Sequence, residues 1–236
     1  MSADLEKQNA GIAAAELVCD GMVVGLGTGS TAAFAIRALG ARVALGLKII
    51  GVPTSRVSEE LARGLGIPIG DLDDVGTIDL TIDGADEIDS HFNMIKGAGA
   101  ALLREKLVAL ASSEMVAIVD SSKYVACLGQ FALPIEVVPF GEKTTARRLE
   151  AACRAFGLGD NALVLRHNKS GTPLLTDQGN HIYDARFGRI EDAQGLARAL
   201  DQVTGVVDHG LFLGIATKLI IGRGAGVETY AKGMLP

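Results

Sequence analysis

Short apolar runs, each followed by a polar loop and a helical pattern, recur through the first half of this 236-residue chain. Met22-Val23-Val24-Gly25-Leu26 leads into Gly27-Thr28-Gly29-Ser30-Thr31-Ala32 and then a helical run through Phe34, Ile36 and Leu39. Residues 48–52 lead into a helix over 56–65, and residues 77–82 into a glycine turn at Gly97 and a helix to about Ala111. Residues 115–119 end the series at Asp120-Ser121-Ser122-Lys123. A run such as Met22 to Leu26 has no polar face, so its strand is expected to be buried on both sides. Strand–loop–helix alternation joins parallel strands by crossovers. The pattern therefore predicts an α/β fold, a Rossmann-like parallel sheet with helices on both faces, preceded by an Ala-rich helix over residues 5–19.

After about Phe131 the texture changes. Strands are expected at 135–138, 162–167 and 181–187, with helices at 143–156 and 192–202 and a turn at Asn168-Lys169-Ser170-Gly171-Thr172-Pro173. The β-α-β-β-α order predicts a smaller ferredoxin-like α+β domain. Short strands at 206–207, 211–213 and 218–221 are expected to return to the first sheet. The resulting division is a Rossmann-like catalytic domain over 1–131 and 206–236, and a ferredoxin-like domain over 132–205.

Composition narrows the function. With 48% hydrophobic residues the chain can bury a large core. Its net charge of -6 argues against nucleic acid as a partner. No apolar run reaches the roughly 18 residues a membrane span needs, and the N-terminus is polar. A soluble, cytoplasmic protein is expected. Cys19, Cys127 and Cys153 show no metal, redox or disulfide spacing and read as reduced, small core residues. His91, His167, His181 and His209 lie in unrelated contexts, so no metal site is expected.

Two loops carry candidate chemistry. Gly27-x-Gly29-x-x-Ala32 fits the dinucleotide fingerprint, but the second strand ends Gly51-Val52-Pro53 without the acid that would hold a ribose. No Gly-Lys-Ser/Thr follows either, so the Walker pattern fails. What remains is a loop of backbone amides and the hydroxyls of Thr28, Ser30 and Thr31 at a helix N-terminus, suited to a phosphate or sugar oxygen. The alternative is a plain turn capped by Ser30 or Thr31. The second loop begins at the end of the third strand, where Asp83-Gly84-Ala85-Asp86-Glu87 is followed by Lys96-Gly97-Ala98-Gly99. Asp83 and Asp86, three apart, can converge on one ligand, and Lys96 can offer a charge to a developing oxyanion. In the helix that follows, apolar residues cover most of the circumference, so it should be largely buried. Glu105 sits on that helix among Ala101, Leu102, Val108 and Ala109. A carboxylate there is either paired, with Arg104, Lys106 or an interdomain partner, or tuned as a general base.

With these blocks in place, the chain resembles the type A D-ribose-5-phosphate isomerases over nearly its full length. The resemblance rests on Gly25-Leu26-Gly27-Thr28-Gly29-Ser30-Thr31-Ala32, Asp83-Gly84-Ala85-Asp86-Glu87, Ile95-Lys96-Gly97-Ala98-Gly99-Ala100-Ala101-Leu102 and Arg104-Glu105-Lys106. It implies an aldose–ketose isomerase acting through an enediolate, in the non-oxidative pentose phosphate pathway, with a sugar phosphate as partner and no cofactor. Glu105 would be the base, Asp83 and Asp86 would handle ring opening and hydroxyl protons, and Lys96 would stabilise the enediolate. Thr28, Gly29, Ser30, Thr31, Gly84, Ala85, Gly97, Ala98 and Gly99 would contact the substrate, with Lys123 and Lys7 near the phosphate. Ala98 stands where the family has glycine, which is tolerable if its φ is negative and only its amide is used. A homodimer or homotetramer is also implied. A CoA transferase using Glu105 as nucleophile, and a non-catalytic sugar-phosphate sensor, are the competing readings.

Overall fold

The computed structural model describes residues 2–233. Its first half runs α1 (Ala3–Glu16), β1 (Val23–Leu26), α2 (Ser30–Ala44), β2 (Ile50–Pro53), α3 (Arg56–Gly64), β3 (Ile78–Gly84), β4 (Glu87–Ile88), β5 (Met94–Ile95), α4 (Leu102–Leu110) and β6 (Ser112–Asp120). The second half runs β7 (Leu133–Val137), α5 (Glu142–Arg154), β8 (Leu163–Leu165), β9 (His181–Ala185), α6 (Ala193–Asp201), β10 (Val206–His209), β11 (Leu211–Phe212), β12 (Lys218–Arg223) and β13 (Gly226–Ala231).

Six strands form one sheet in the order β13-β12-β6-β3-β1-β2, parallel except for the β12–β13 hairpin. Its central strands are apolar on both faces. Val116 and Ile118 of β6 face a layer built from Ala10, Ala14, Ile36 and Leu39 of α1 and α2. The alternating Met115, Ala117 and Val119 face Leu102 and Ala109 of α4 together with Phe212. This is the two-sided burial that the apolar runs predict. α1 begins at the N-cap Ser2, whose side chain accepts from the Leu5 amide.

A second sheet, β10-β7-β9-β8, is antiparallel throughout. Numbered along the chain, these strands lie in the order 4-1-3-2, and α5 and α6 pack through Leu149, Cys153, Leu196 and Leu200 on Leu133, Ile135 and Val137. The order and the two crossover helices are those of the ferredoxin-like arrangement.

The tail departs from expectation. Of the three strands expected to return to the first sheet, only that at 218–223 does so, beside β6, with β13 added outside it. Val206–His209 pairs instead with β7, and Leu211–Phe212 pairs with β5 in a three-stranded sheet with β4. Pairing partners of this kind are remote in sequence and leave no local signal. The helix α4 is also less enclosed than expected, because Leu107 and Leu110 are exposed. Of the cysteines, Cys153 is buried and Cys127 half-buried, but Cys19 is exposed, so it is not a core residue. No described helix is long and apolar enough to cross a membrane.

Candidate active site

β1, β3 and β6 are parallel neighbours, so the loops at their carboxyl ends gather at one edge of the sheet. The loop after β1 carries residues 27–31, the end of β3 carries Asp83 and Gly84, and a short 3-10 turn after β6, Ser121–Lys123, carries Lys123. Between β3 and β6 the chain folds back through β4 and β5, which brings Lys96 under the same edge. A cavity of about 200 Å³ opens there, lined by Lys7, residues 28–31, residues 84–86, residues 96–99, Glu105 and Lys123. Every candidate named from the sequence lines this cavity except Asp83, which is fully buried beneath it.

Asp83 organises the floor. Its Oδ1 accepts from the Thr28 amide at 3.0 Å and from the Gly84 amide at 2.7 Å. Its Oδ2 lies 3.0 Å from Lys96 Nζ, an ion pair without hydrogen-bond alignment. Lys96 Nζ donates to Gly84 O at 2.6 Å and to Glu105 Oε1 at 3.1 Å. It also lies 5.5 Å from the centroid of the Phe212 ring, a cation–π contact. The partner of Glu105 is therefore Lys96. The two cations that flank it in sequence turn elsewhere, Arg104 to Asp177 and Lys106 to Asp208.

Two carboxylates share one ammonium here, all nearly without solvent. Burial alone would strip the charge from Lys96, but Asp83 and Glu105 outweigh it and raise its proton affinity. Glu105 goes the other way. Burial pushes its carboxyl up to about 8 and the charges of Asp83 and Asp86 add to this, against the pull of Lys96. Its second oxygen, Oε2, has no hydrogen-bond partner. A buried carboxyl with one oxygen anchored, one unpartnered, and a proton affinity near neutral pH has the properties of a general base.

Asp86 stands on the cavity wall with Oδ2 accepting from the Ala98 amide at 2.9 Å. Burial raises its proton affinity, and the Ala98 amide, Lys96, Lys123 and Arg166 oppose this. Ala98 is absent from the non-glycine residues with positive φ, which are Phe92, Ala100 and Asn161, and it uses its amide. The φ condition for an alanine at this position is thus met, although its carbonyl is used as well as its amide, accepting from Arg166.

The glycine loop ends at α2. Gly29, with φ 104°, is the N-cap and supplies no side-chain cap, so the first amides of the helix are left for a ligand rather than for Ser30 or Thr31. A helix N-terminus in this state attracts an anion. The Thr28 hydroxyl is turned away from the cavity into a cluster with Thr54, Ser55 and Ser58 at 2.7, 2.8 and 3.1 Å. Lys7 on α1 and Lys123 supply positive charge to the same corner.

Several residues that shape the site carried no sequence signal. Glu6 accepts from the amide and hydroxyl of Ser121 at 2.9 and 2.7 Å and from the Gly224 amide at 2.8 Å, tying α1 to the turn that bears Lys123. Arg166 reaches over from the smaller sheet to the carbonyls of Gly97 and Ala98. Both act through long-range contacts, which no local motif announces.

Comparison with known proteins identifies the family of the chain. The family model for ribose 5-phosphate isomerase A (phosphoriboisomerase A) matches residues 50–226. A ribose-5-phosphate isomerase A of Caulobacter vibrioides is 56% identical over 228 residues, covering 96% of this chain and 98% of that protein. The one from Parvibaculum lavamentivorans is 49% identical, covering 97% and 98%. A solved D-ribose-5-phosphate isomerase in complex with phospho-erythronic acid superposes with a TM-score of 0.91 at 38% identity, covering 98% of this chain and 100% of that one. The ribose 5-phosphate isomerase of Plasmodium falciparum superposes with a TM-score of 0.90, also at 38% identity, covering 98% and 100%.

Proposed function

The chain belongs to the ribose 5-phosphate isomerase A family and interconverts D-ribose 5-phosphate and D-ribulose 5-phosphate, and we propose that it does so in the cavity beneath α2 and α4, by proton transfer through an enediolate. The observation that carries this reading is Glu105, buried, held at one oxygen by Lys96 and unpartnered at the other, on the wall of a cavity with two further lysines and an uncapped helix N-terminus.

In the aldose-to-ketose direction Glu105 takes the proton from C2 of the open-chain sugar. The C2–H electrons form the C1–C2 double bond, and the C1 carbonyl becomes the enediolate oxygen. The buried ammonium of Lys96 offsets that charge where water cannot. Glu105 then returns the proton to C1 as the O–H electrons of the C2 hydroxyl form the ketone, and the proton released from that hydroxyl passes to the C1 oxygen. Asp86, on the wall and with raised proton affinity, serves ring opening and hydroxyl proton exchange. Asp83, sealed beneath the floor, is placed to hold Lys96 and the Thr28 amide rather than to meet the sugar. The phosphate goes to the α2 N-terminus, with Ser30, Thr31, Lys123 and Lys7 around it. Binding energy from this remote group positions C1 and C2 against Glu105. A relative solved in complex with phospho-erythronic acid supports a phosphorylated, hydroxyl-bearing carbon chain as the kind of ligand this protein takes.

The test is turnover of ribose 5-phosphate by the purified protein in EDTA, beside Glu105→Gln. The wild type is expected to form ribulose 5-phosphate, and the variant to lose on the order of 10²–10⁴ in kcat while still binding the sugar phosphate. A variant with near-normal kcat would remove Glu105 from the role of base.

A further inference from the structure

The peptide unit between Gly97 and Ala98 is held at both ends. Its carbonyl oxygen accepts from Arg166 Nη1 at 2.8 Å, and its amide donates to Asp86 Oδ2 at 2.9 Å. A trans peptide is planar, with N–H and C=O pointing opposite ways, so fixing the oxygen fixes where the hydrogen points. The same guanidinium nitrogen also donates to Ala98 O at 3.1 Å. Gly97 has φ 111°, a region that glycine enters freely, so its own backbone preference does little to select this orientation of the peptide.

Arg166 is itself seated. It follows β8 in the smaller sheet, and its Nε donates to Asp184 Oδ2 on β9 at 2.8 Å while Nη2 pairs with the other carboxylate oxygen. One edge of the fork is taken by Asp184 and the remaining nitrogen by the loop, with the side chain only 14% exposed. A bidentate arginine–carboxylate pair is directional in a way a lysine contact is not.

We propose that Arg166, seated on Asp184, is a positioning residue for the isomerisation: it orients the Gly97–Ala98 peptide so that the Ala98 amide supports the Asp86 carboxylate on the cavity wall. The smaller sheet thereby sets the ionisation of a group in the loop that follows β3 of the larger one. Its effect on rate rests on the reading of this cavity as the sugar-phosphate site, while the orientation of the peptide does not. The groups that face Asp86 are Lys96 from the end of β5, Lys123 from the turn after β6 and Arg166 across the loop. Asp83 and Glu105 share Lys96 with it, Lys7 and Arg189 lie further round the walls, and Glu87 beside it is turned to the amides of Gly129 and Phe131.

The experiment is a pH titration of the Ala98 amide resonance in the full chain without substrate, with Asp86→Asn identifying the titration by abolishing it. In Arg166→Met the midpoint is expected to move to higher pH, and kcat to fall about tenfold or more with a smaller change in KM. An unmoved midpoint in a variant that melts like the wild type overturns the proposal, whatever the rate does. Asp184→Asn keeps the cation but loosens its seat, so a smaller shift in the same direction is expected. Should Arg166→Met fail to fold, an unmoved midpoint in Asp184→Asn overturns the proposal on its own. Because the titration needs no turnover, an active Glu105→Gln enzyme would remove the assigned base and leave this result standing.

Discussion

Lys96 Nζ lies 3.0 Å from Asp83 Oδ2, with neither side chain more than 2% exposed, and the other oxygen of Asp83 holds the Thr28 amide. One buried carboxylate therefore links Lys96 to the glycine loop that leads into α2. It also raises the proton affinity of Glu105, which shares the same lysine.

Replacing Asp83 by Asn should thus do two separable things. Lys96 loses counter-charge and kcat falls, by roughly ten- to a hundredfold for a displaced electrostatic group. At the same time Glu105 loses a like charge, so the ascending limb of kcat/KM moves to lower pH. A pH–rate profile of Asp83→Asn measures both. A limb that stays in place, or moves to higher pH, contradicts the shared-lysine account.

In the wild type, kcat/KM should climb with pH toward about 8, where Glu105 becomes ionised in the free protein. The same shift has a stability sign. Because folding raises the Glu105 value above the ordinary 4.5, its contribution is fully present below pH 4.5 and is lost as pH rises through about 8. Glu105→Gln escapes that loss. Its melting temperature relative to wild type should therefore increase between pH 5 and pH 9, by roughly 10 °C. Parallel melting curves across this range would show that Glu105 is ionised at little cost.

Gly27, just after β1, packs directly against Asp83 of β3. A Cβ built there would stand 2.2 Å from Asp83 Oδ1 and 2.6 Å from Asp83 Cα, and the second of these is backbone that cannot swing aside. Gly27→Ala should cost about 1–3 kcal/mol in urea unfolding and displace Asp83 from Lys96, lowering kcat as well. Full activity with an unchanged midpoint would mean that the two strands separate more easily than their packing suggests.

Glu6 touches no part of the cavity, yet it pins the turn that carries Lys123 and is followed in sequence by Lys7. Glu6→Ala should raise KM for ribose 5-phosphate several-fold with kcat little changed, since only the anchoring end of the site is loosened. The three hydrogen bonds to Glu6, led by that from the Gly224 amide, hold its carboxyl down to about 2. The clasp is therefore complete above the ordinary glutamate range and is lost only as pH falls toward 2. A KM that rises already near pH 5 in the wild type would place the sensitive group elsewhere.

Much of this architecture was legible because each local choice agreed with the whole. Val24, Leu26, Val116 and Ile118 read as buried strands, Gly29 and Gly97 mark loops, and the β-α-β-β-α order of the second half predicts its sheet. The site residues were legible as blocks, since a loop at the end of a parallel strand has few other places to go. Three features were not. Glu105 has cations on either side in sequence, but its partner arrives from β5, so neighbours in sequence mislead. Asp83 and Asp86 look equivalent three apart, yet β3 continues through Gly84, which seals the first and leaves the second on the wall. Val206–His209 is as apolar at its start as a return strand should be, and its place beside β7 depends on a pairing that only the finished sheet defines.

The chain leaves the six-stranded sheet after β6 and comes back to lie directly beside it as β12. On a ribosome adding about 5–20 residues per second, the edge of β6 would wait roughly 5–20 s for the residues that cover it. During that interval Val116, Ala117, Ile118 and Val119 form an apolar strand with one side unpaired, and α1 lacks the part of its floor that Ile220 supplies. The smaller sheet, whose strands all lie within the intervening stretch, can close during the same wait. The last strand to emerge, β13, then takes the outer place and presents Glu228 and Thr229 at the rim, a polar edge that discourages pairing with another chain. The newborn protein is therefore most vulnerable to association between its halves, and a nascent chain halted there would be a natural client for a chaperone.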